Sequence, residues 1–250
     1  MLLGRALGIS AVILVAPLAY GDIAINTLIS FNLANGNQPS AGLVQGPDGA
    51  FYGTTQTGGS YNQGTVFKIT SSGAFTSLLS FTGTNGLYPG ANPVGNLVLG
   101  ANGNLYGITE AGGTSDLGTV FVVATNGTFT SLISFTGTNG PDLGDYPTAG
   151  LVWGTNGNLY GATEYGGTND PANGGDGTLF EVATNGVFNN LVSFTAINGA
   201  YPVANSLVPG TDGNLYGTTQ YGGTNDLING GDGTVFRITS AGAFTTLASF

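Results

Sequence analysis

The chain has 250 residues, of which 41% are hydrophobic and only 6% charged, with 46 glycines, 10 prolines, no cysteine and no histidine. That is too much apolar material for a disordered chain and too much glycine and proline for long helices, which leaves an all-β protein rich in turns. Without cysteine there are no disulfides or thiolate metal sites, and without histidine the serine-histidine, cysteine-histidine and zinc-hydrolase mechanisms are excluded.

Met1 to Gly21 reads as a secretory signal peptide, with Arg5 in a basic n-region, Leu7 to Leu18 as the apolar stretch and Ala19-Tyr20-Gly21 as a small-x-small cleavage site. The apolar stretch is shorter than the ~20 residues that cross a bilayer, so no transmembrane span remains once it is cleaved. The expected location is secreted or at the cell surface. Residues 22–250 then form one repeat domain with two basic residues, Lys68 and Arg237, against thirteen acidic ones, a net charge of about −11. No cationic surface exists to meet phosphates, so a nucleic-acid partner is excluded.

The first β-type run, Thr27-Leu28-Ile29-Ser30-Phe31, returns as Ser77 to Phe81, Ser131 to Phe135, Asn190 to Phe194 and Thr246 to Phe250. A loop with proline follows each of the first four copies and is expected to stop the strand. Next comes a hairpin such as Leu97 to Leu99 with Leu105 to Thr109, turned at Asn102-Gly103. Asp48-Gly49, Asn156-Gly157 and Asp212-Gly213 fall at the same place, the chemistry of a tight turn with positive φ. A glycine-rich loop leads to Gly118-Thr119-Val120-Phe121 and its relatives Gly64 to Phe67, Gly177 to Phe180 and Gly233 to Phe236. A second turn, as at Ser72-Gly73, returns the chain to the next Ser-Phe run.

The hairpin strand containing Tyr-Gly-x-Thr recurs from Phe51 to Leu105, Leu159 and Leu215, at spacings of 54, 54 and 56 residues. The repeats span roughly 27–75, 76–129, 130–188 and 189–244, with 245–250 starting a further one. Four antiparallel strands per period is the content of one propeller blade. The predicted fold is therefore all-β and β-propeller-like, four four-stranded blades plus one surplus strand. A β-sandwich offers no reason for a period of one complete meander. The surplus strand implies a redundant copy or an incomplete ring, and Phe250 ends mid-pattern, as in a truncated chain.

Gly-Asn-Leu-Tyr-Gly-x-Thr, then x-Gly-Gly, Gly-Thr-Val-Phe and Ser-Phe-Thr-Gly-Thr-Asn-Gly, resembles the GloVer (Gloeo/Verruco) tandem repeat of exported bacterial proteins, over Thr27 to Phe250. The resemblance implies a secreted, surface-displayed repeat protein with no established enzymatic activity, often with a sorting or anchoring tail. This sequence shows no such tail. No catalytic residues carry over.

Glu110 and Glu164 follow the Tyr-Gly-x-Thr strand at equivalent positions, with Gln56 and Gln220 in the outer repeats. If these strand ends face one another, the two carboxylates form an acid and base pair for glycan hydrolysis; otherwise all four are polar strand terminators or ligand contacts. The Asp-rich loops holding Asp170, Asp176, Asp226 and Asp232 suit calcium, although they lack the spacing and terminal Glu of an EF-hand and also read as solvated turns. Tyr52, Tyr106, Tyr160 and Tyr216 recur in register and are expected in the core. Tyr165 and Tyr221, which precede Gly-Gly, and Tyr61, Tyr88, Tyr146 and Tyr201 in connections, present rings for a glycan or protein partner. Trp153 replaces Leu99 and is expected to be buried or interfacial. Three functions stay open: a non-enzymatic binding module, a carbohydrate-active hydrolase or lyase using Glu110 and Glu164, and a purely structural surface protein.

Overall fold

The computed structural model describes residues 25–148, 150–202, 207–225 and 231–250. The signal-peptide reading of Met1 to Gly21 lies outside the described residues. Four antiparallel meanders follow one another. The first holds β1 (Val44–Gln45), β2 (Phe51–Thr55), β3 (Thr65–Ile69) and β4 (Phe75–Ser80), and the second β5 (Ala91–Leu99), β6 (Leu105–Ala111), β7 (Thr119–Val123) and β8 (Phe129–Ser134). The third holds β9 (Val152–Trp153), β10 (Leu159–Thr163), β11 (Thr178–Val182) and β12 (Phe188–Ser193). In the fourth, β13 (Ala200–Pro202) and β14 (Val208–Pro209) share the inner edge of β15 (Leu215–Tyr221), followed by β16 (Thr234–Ile238) and β17 (Phe244–Ser249).

Successive sheets stack face to face as propeller blades do. Three apolar clusters fill the spaces between them, and each joins one sheet to the next in sequence. Tyr52, Val66, Leu79 and Phe81 of the first blade meet Leu97, Leu105, Phe121 and Val123 of the second, and the two later clusters repeat the pattern. Middle strands such as β10 and β11 are buried at every residue, because both faces are covered. That is why the sequence shows no clean alternation there and so little charge.

The turn between the first two strands of a blade differs from the expectation. Gly46 N–H donates to Ala50 and Gly49 N–H to Gly46, at 2.9 and 3.0 Å, closing a three-residue loop in which only Gly49 has positive φ. Asp48 therefore sits at an ordinary φ, and its carboxylate accepts from the Ala50 N–H (3.2 Å) and the Tyr52 hydroxyl (2.9 Å). Asn102 and Asn156 donate from Nδ2 to the Tyr106 and Tyr160 hydroxyls, both at 2.9 Å, and Asp212 accepts from the Tyr216 hydroxyl at 2.7 Å. The in-register tyrosines thus bury their rings, Tyr216 less than the others, and tie their hydroxyls to the turn.

Two further expectations are corrected. Pro93 and Pro202 do not stop strands: they lie within β5 and β13, on inner edge strands that have no further partner needing the missing N–H, whereas Pro39, Pro89 and Pro147 lie in the connections. The surplus copy, Thr27 to Phe31, is not a strand, since no sheet pairs with it; the other four copies are the closing strands of the blades. Phe31 nevertheless packs edge-on against Phe67 at 5.1 Å. Phe81 packs in the same way against Phe121 of the next blade at 5.2 Å. Trp153 is half-buried between blades, donating from Nε1 to Leu99 O at 3.0 Å. Among the described residues no helix is long and apolar enough to cross a membrane.

Candidate functional site

In each blade the Tyr-Gly-x-Thr strand carries a buried threonine at its end or two residues before it. Thr55, Thr109, Thr163 and Thr219 bond Thr65, Thr119, Thr178 and Thr234 on the neighbouring strand at 2.7 to 2.9 Å. This pair locks the strand end, so the next residue, Gln56, Glu110, Glu164 or Gln220, is held at the rim. Opposite these four stand Gln38, Asn92, Tyr146 and Tyr201. Gln56 N–H donates to Gln38 O and Glu164 N–H to Tyr146 O, both at 3.0 Å, while Asn92 and Tyr201 lie inside the registers β5·β6 and β13·β15.

All four of these facing residues precede proline and have φ between 52° and 58°. A bulky residue before proline disfavours that conformation, and such strain persists only where surrounding bonds impose it. Here the bonds come from the preceding blade: Asn92, Tyr146 and Tyr201 N–H donate to Gln63, Leu117 and Asp176 O at 2.9, 3.2 and 2.9 Å. Each blade is thereby stitched to its predecessor at the rim.

The stitch brings together what the sequence scatters. Tyr146 and Tyr165 have ring centroids 6.1 Å apart, Tyr165 and Tyr201 5.4 Å, and Tyr201 and Tyr221 5.9 Å. Four rings alternate across the third and fourth blades, and Tyr146 and Tyr221 are exposed. Carboxylates flank them. The neighbouring Glu164 carboxylate raises the Tyr165 pKa, and burial, then the charges of Asp176, Asp170 and Glu164, raise that of Tyr201. The Asp145 carboxyl is itself pushed up by burial. In the first two repeats the matching positions are Gln38 with Thr57 and Asn92 with Ala111, so the aromatic half of the rim faces an amide half. Tyr165 and Tyr221 stood out in the sequence as ligand candidates. Their grouping with Tyr146 and Tyr201 did not, although tyrosine at both positions in the same two repeats was the available signal. Tyr88 packs against Phe129 at 5.6 Å, and Tyr61 stands exposed with no ring neighbour among the described residues.

Glu110 lines a cavity of about 350 Å³ with Ser40, Ala41, Val94, Asn96 and Thr148, which come from the inner segments of three blades. Burial raises the Glu110 pKa, the Gln56 amide beside it opposes that rise, and the Glu164 charge adds to it. A larger cavity, about 480 Å³, opens at the opposite end of the blades beside Trp153, Leu99 and Thr184, and no titratable group lines it.

Asp170 and Asp176 share one loop, where burial first and then the Asp170 charge raise the pKa of Asp176. Asn173 donates to both oxygens of Asp170 at 3.0 and 2.9 Å, and Asn169 ties the loop to Ser193 O at 2.6 Å. Asp232 is exposed in the matching loop of the fourth blade, and Asp226 lies outside the described residues. No group of three or more carboxylates stands close enough to share an ion among the described residues.

The repeat unit itself has relatives. A model of the Gloeobacter/Verrucomicrobia repeat matches residues 88–250, more than half of the chain. The chain belongs to that family. No curated protein matches this Gloeobacter/Verrucomicrobia repeat chain in sequence. Among solved structures, a streptogramin B lyase is similar at 17% identity and TM-score 0.50, over 82% of this chain and 52% of that one. The extracellular domain of a hybrid two component system from B. thetaiotaomicron is similar at 14% identity and TM-score 0.51, over 82% of this chain and 21% of that one. The repeat chain thus spans about half of the first structure and a fifth of the second. At these identities the likeness concerns the propeller fold alone.

Proposed function

We propose that this Gloeobacter/Verrucomicrobia repeat protein is an exported, non-enzymatic binding module that holds a glycan on the tyrosine-lined half of its rim. The observation that carries the reading is the run of four rings from Tyr146 to Tyr221 beside Glu164 and Asp145. Aromatic faces take up the apolar faces of sugars, and carboxylates accept from their hydroxyls. Rings already packed on one another lose little further freedom on binding. Export is supported by the signal-like Met1 to Gly21 and by the extracellular placement of one solved neighbour. A glycan array followed by calorimetry tests the site. Tyr165→Ala and Tyr221→Ala should each weaken the bound glycan at least about tenfold, the effect of losing roughly 1.4 kcal/mol. An array without a hit, or one whose hits survive both changes, would sink the reading.

A second reading, a carbohydrate-active hydrolase or lyase, is favoured by one observation, the raised pKa of Glu110 in a cavity within reach of the Glu164 charge. It requires turnover that disappears in both Glu110→Gln and Glu164→Gln. Calcium in the Asp170 and Asp176 loop would show as a rise in melting temperature on titration with calcium chloride that Asp170→Asn removes.

A further inference from the structure

On the reading of the tyrosine rim as a glycan site, on which this inference rests, we propose that the cavity at Glu110 is a second subsite of the same surface. It takes one sugar residue of a chain whose neighbouring residues lie on the tyrosines, and so extends the site from the third and fourth blades onto the first and second.

The cavity follows from the strained residues at the rim. Gln38, Asn92 and Tyr146 each have positive φ and precede proline, and in each case the residue two positions on, Ser40, Val94 or Thr148, lines the same cavity of about 350 Å³. Three blades thus deliver equivalent positions to one place. The volume is at the lower end of the ~300–1,000 Å³ of small-molecule sites. Thr148 joins the cavity to the rings, because it stands two residues after Tyr146, the first tyrosine of the run, which puts the two Cα atoms within about 7 Å.

The wall has the chemistry of a sugar site. Asn96 Oδ1 accepts from Gly42 N–H at 2.6 Å, while its Nδ2 donates to no group among the described residues. Ser40 Oγ has no partner among them either, and Thr148 Oγ1 is buried without one. Glu110 has the Gln56 amide beside it, and burial raises its pKa. One carboxyl, one amide and two hydroxyls therefore converge around the apolar patch of Ala41 and Val94. A sugar ring presents the complement, hydroxyls around its edge and C–H groups on its face. No lysine or arginine lines the cavity, so a carboxylate-bearing sugar finds no counter-charge there. The cavity beside Trp153 differs: Trp153 Nε1 is engaged by Leu99 O, and Asn102 by Tyr106 and Asn104.

Calorimetry with cello-, xylo-, manno- and chito-oligosaccharide ladders, from the disaccharide upward, tests this. In the series that binds, affinity should rise with chain length. At the length that reaches the cavity, Ser40→Ala should weaken binding and Glu110→Ala should weaken it by about tenfold, the effect of one hydrogen bond to a charged group. The shortest oligosaccharides that bind, held on the tyrosines alone, should bind both variants as they bind the parent, whereas Tyr165→Ala should weaken every length. Ser40 is exposed, and a half-buried carboxylate with a raised pKa costs the fold stability at neutral pH, so neither variant should melt below the parent. Long and short oligosaccharides weakened alike by Glu110→Ala, or neither weakened, would overturn the subsite and leave the tyrosine site standing. Binding that survives Tyr165→Ala, or no binding in any series, would overturn the rim reading and this inference with it.

Discussion

Glu181 shows how a charge is accommodated inside a blade. Burial pushes its pKa up, but Asn158, Asn189, Asn156 and Tyr160 all donate to its carboxylate, at 2.7 to 3.0 Å, and the net shift is downward. Its folded pKa lies below the unfolded one, so this stabilisation is present above the unfolded value and is lost as pH falls through the folded one. Glu181→Leu should cost about 1–3 kcal/mol in urea unfolding, because buried Tyr160 and three asparagine amides lose a charged acceptor. Tyr160 shifts in the opposite sense: burial, then the bond to Glu181, raise its pKa to about 12. Stability from that hydroxyl is full below the ordinary value of ~10 and is lost as pH rises towards 12. An alkaline absorbance titration should show one tyrosine ionising late, and Glu181→Leu should bring it earlier. The same position in other blades holds Lys68, Val122 and Arg237. Lys68 pairs with the turn carboxylate of Asp48 at 2.6 Å, and where the turn residue is Asn156 the partner is acidic instead. The tyrosines at the turns and the threonine pairs were readable from the sequence as in-register repeats. Their hydrogen-bond partners were not, because side chains four to twenty-five residues apart meet only once the strands are in register.

At the scale of one strand, the glycine of Tyr-Gly-x-Thr has a steric reason. A Cβ on Gly107 would lie 2.5 Å from Phe121 Cζ, and one on Gly161 2.4 Å from Phe180 Cζ, on the paired strand. The phenylalanine of Gly-Thr-Val-Phe lies over the glycine of the neighbouring strand, so the two motifs are halves of one contact. Gly107→Ala should therefore destabilise by about 1–3 kcal/mol, the usual cost of forcing an extra methyl into a packed core. Combining it with Phe121→Leu in a double-mutant cycle should recover part of the loss; strict additivity would show that the ring is not the obstacle. Strand number and turn positions were legible because they depend on local backbone preferences. The three-residue geometry of the turns was not, since Asn-Gly and Asp-Gly serve more than one turn type. The inner-edge prolines were misread because a sequence does not say which side of a strand lacks a partner.

Across the whole molecule, the closing phenylalanines set the order of stability. Phe135 fills the space between two blades, against Phe180 at 5.2 Å and Phe188 at 6.1 Å. Phe135→Ala should cost about 3–5 kcal/mol, whereas Phe250→Ala, at a side chain 60% exposed, should change the melt by no more than about 0.5 kcal/mol. Equal effects would mean that Phe250 is packed as tightly as Phe135. By itself the sequence determined the all-β class, the four-stranded repeat, the in-register core and the candidate residues at the strand ends, because periodicity and turn chemistry are local properties of the chain. Only the tertiary structure decided that Thr27 to Phe31 is a cap in place of a strand, that Tyr146, Tyr165, Tyr201 and Tyr221 form one surface, and that Glu110 senses Glu164. Each of these depends on how one blade stacks on the next, and the sequence marks the positions that recur without stating which of them meet across two repeats.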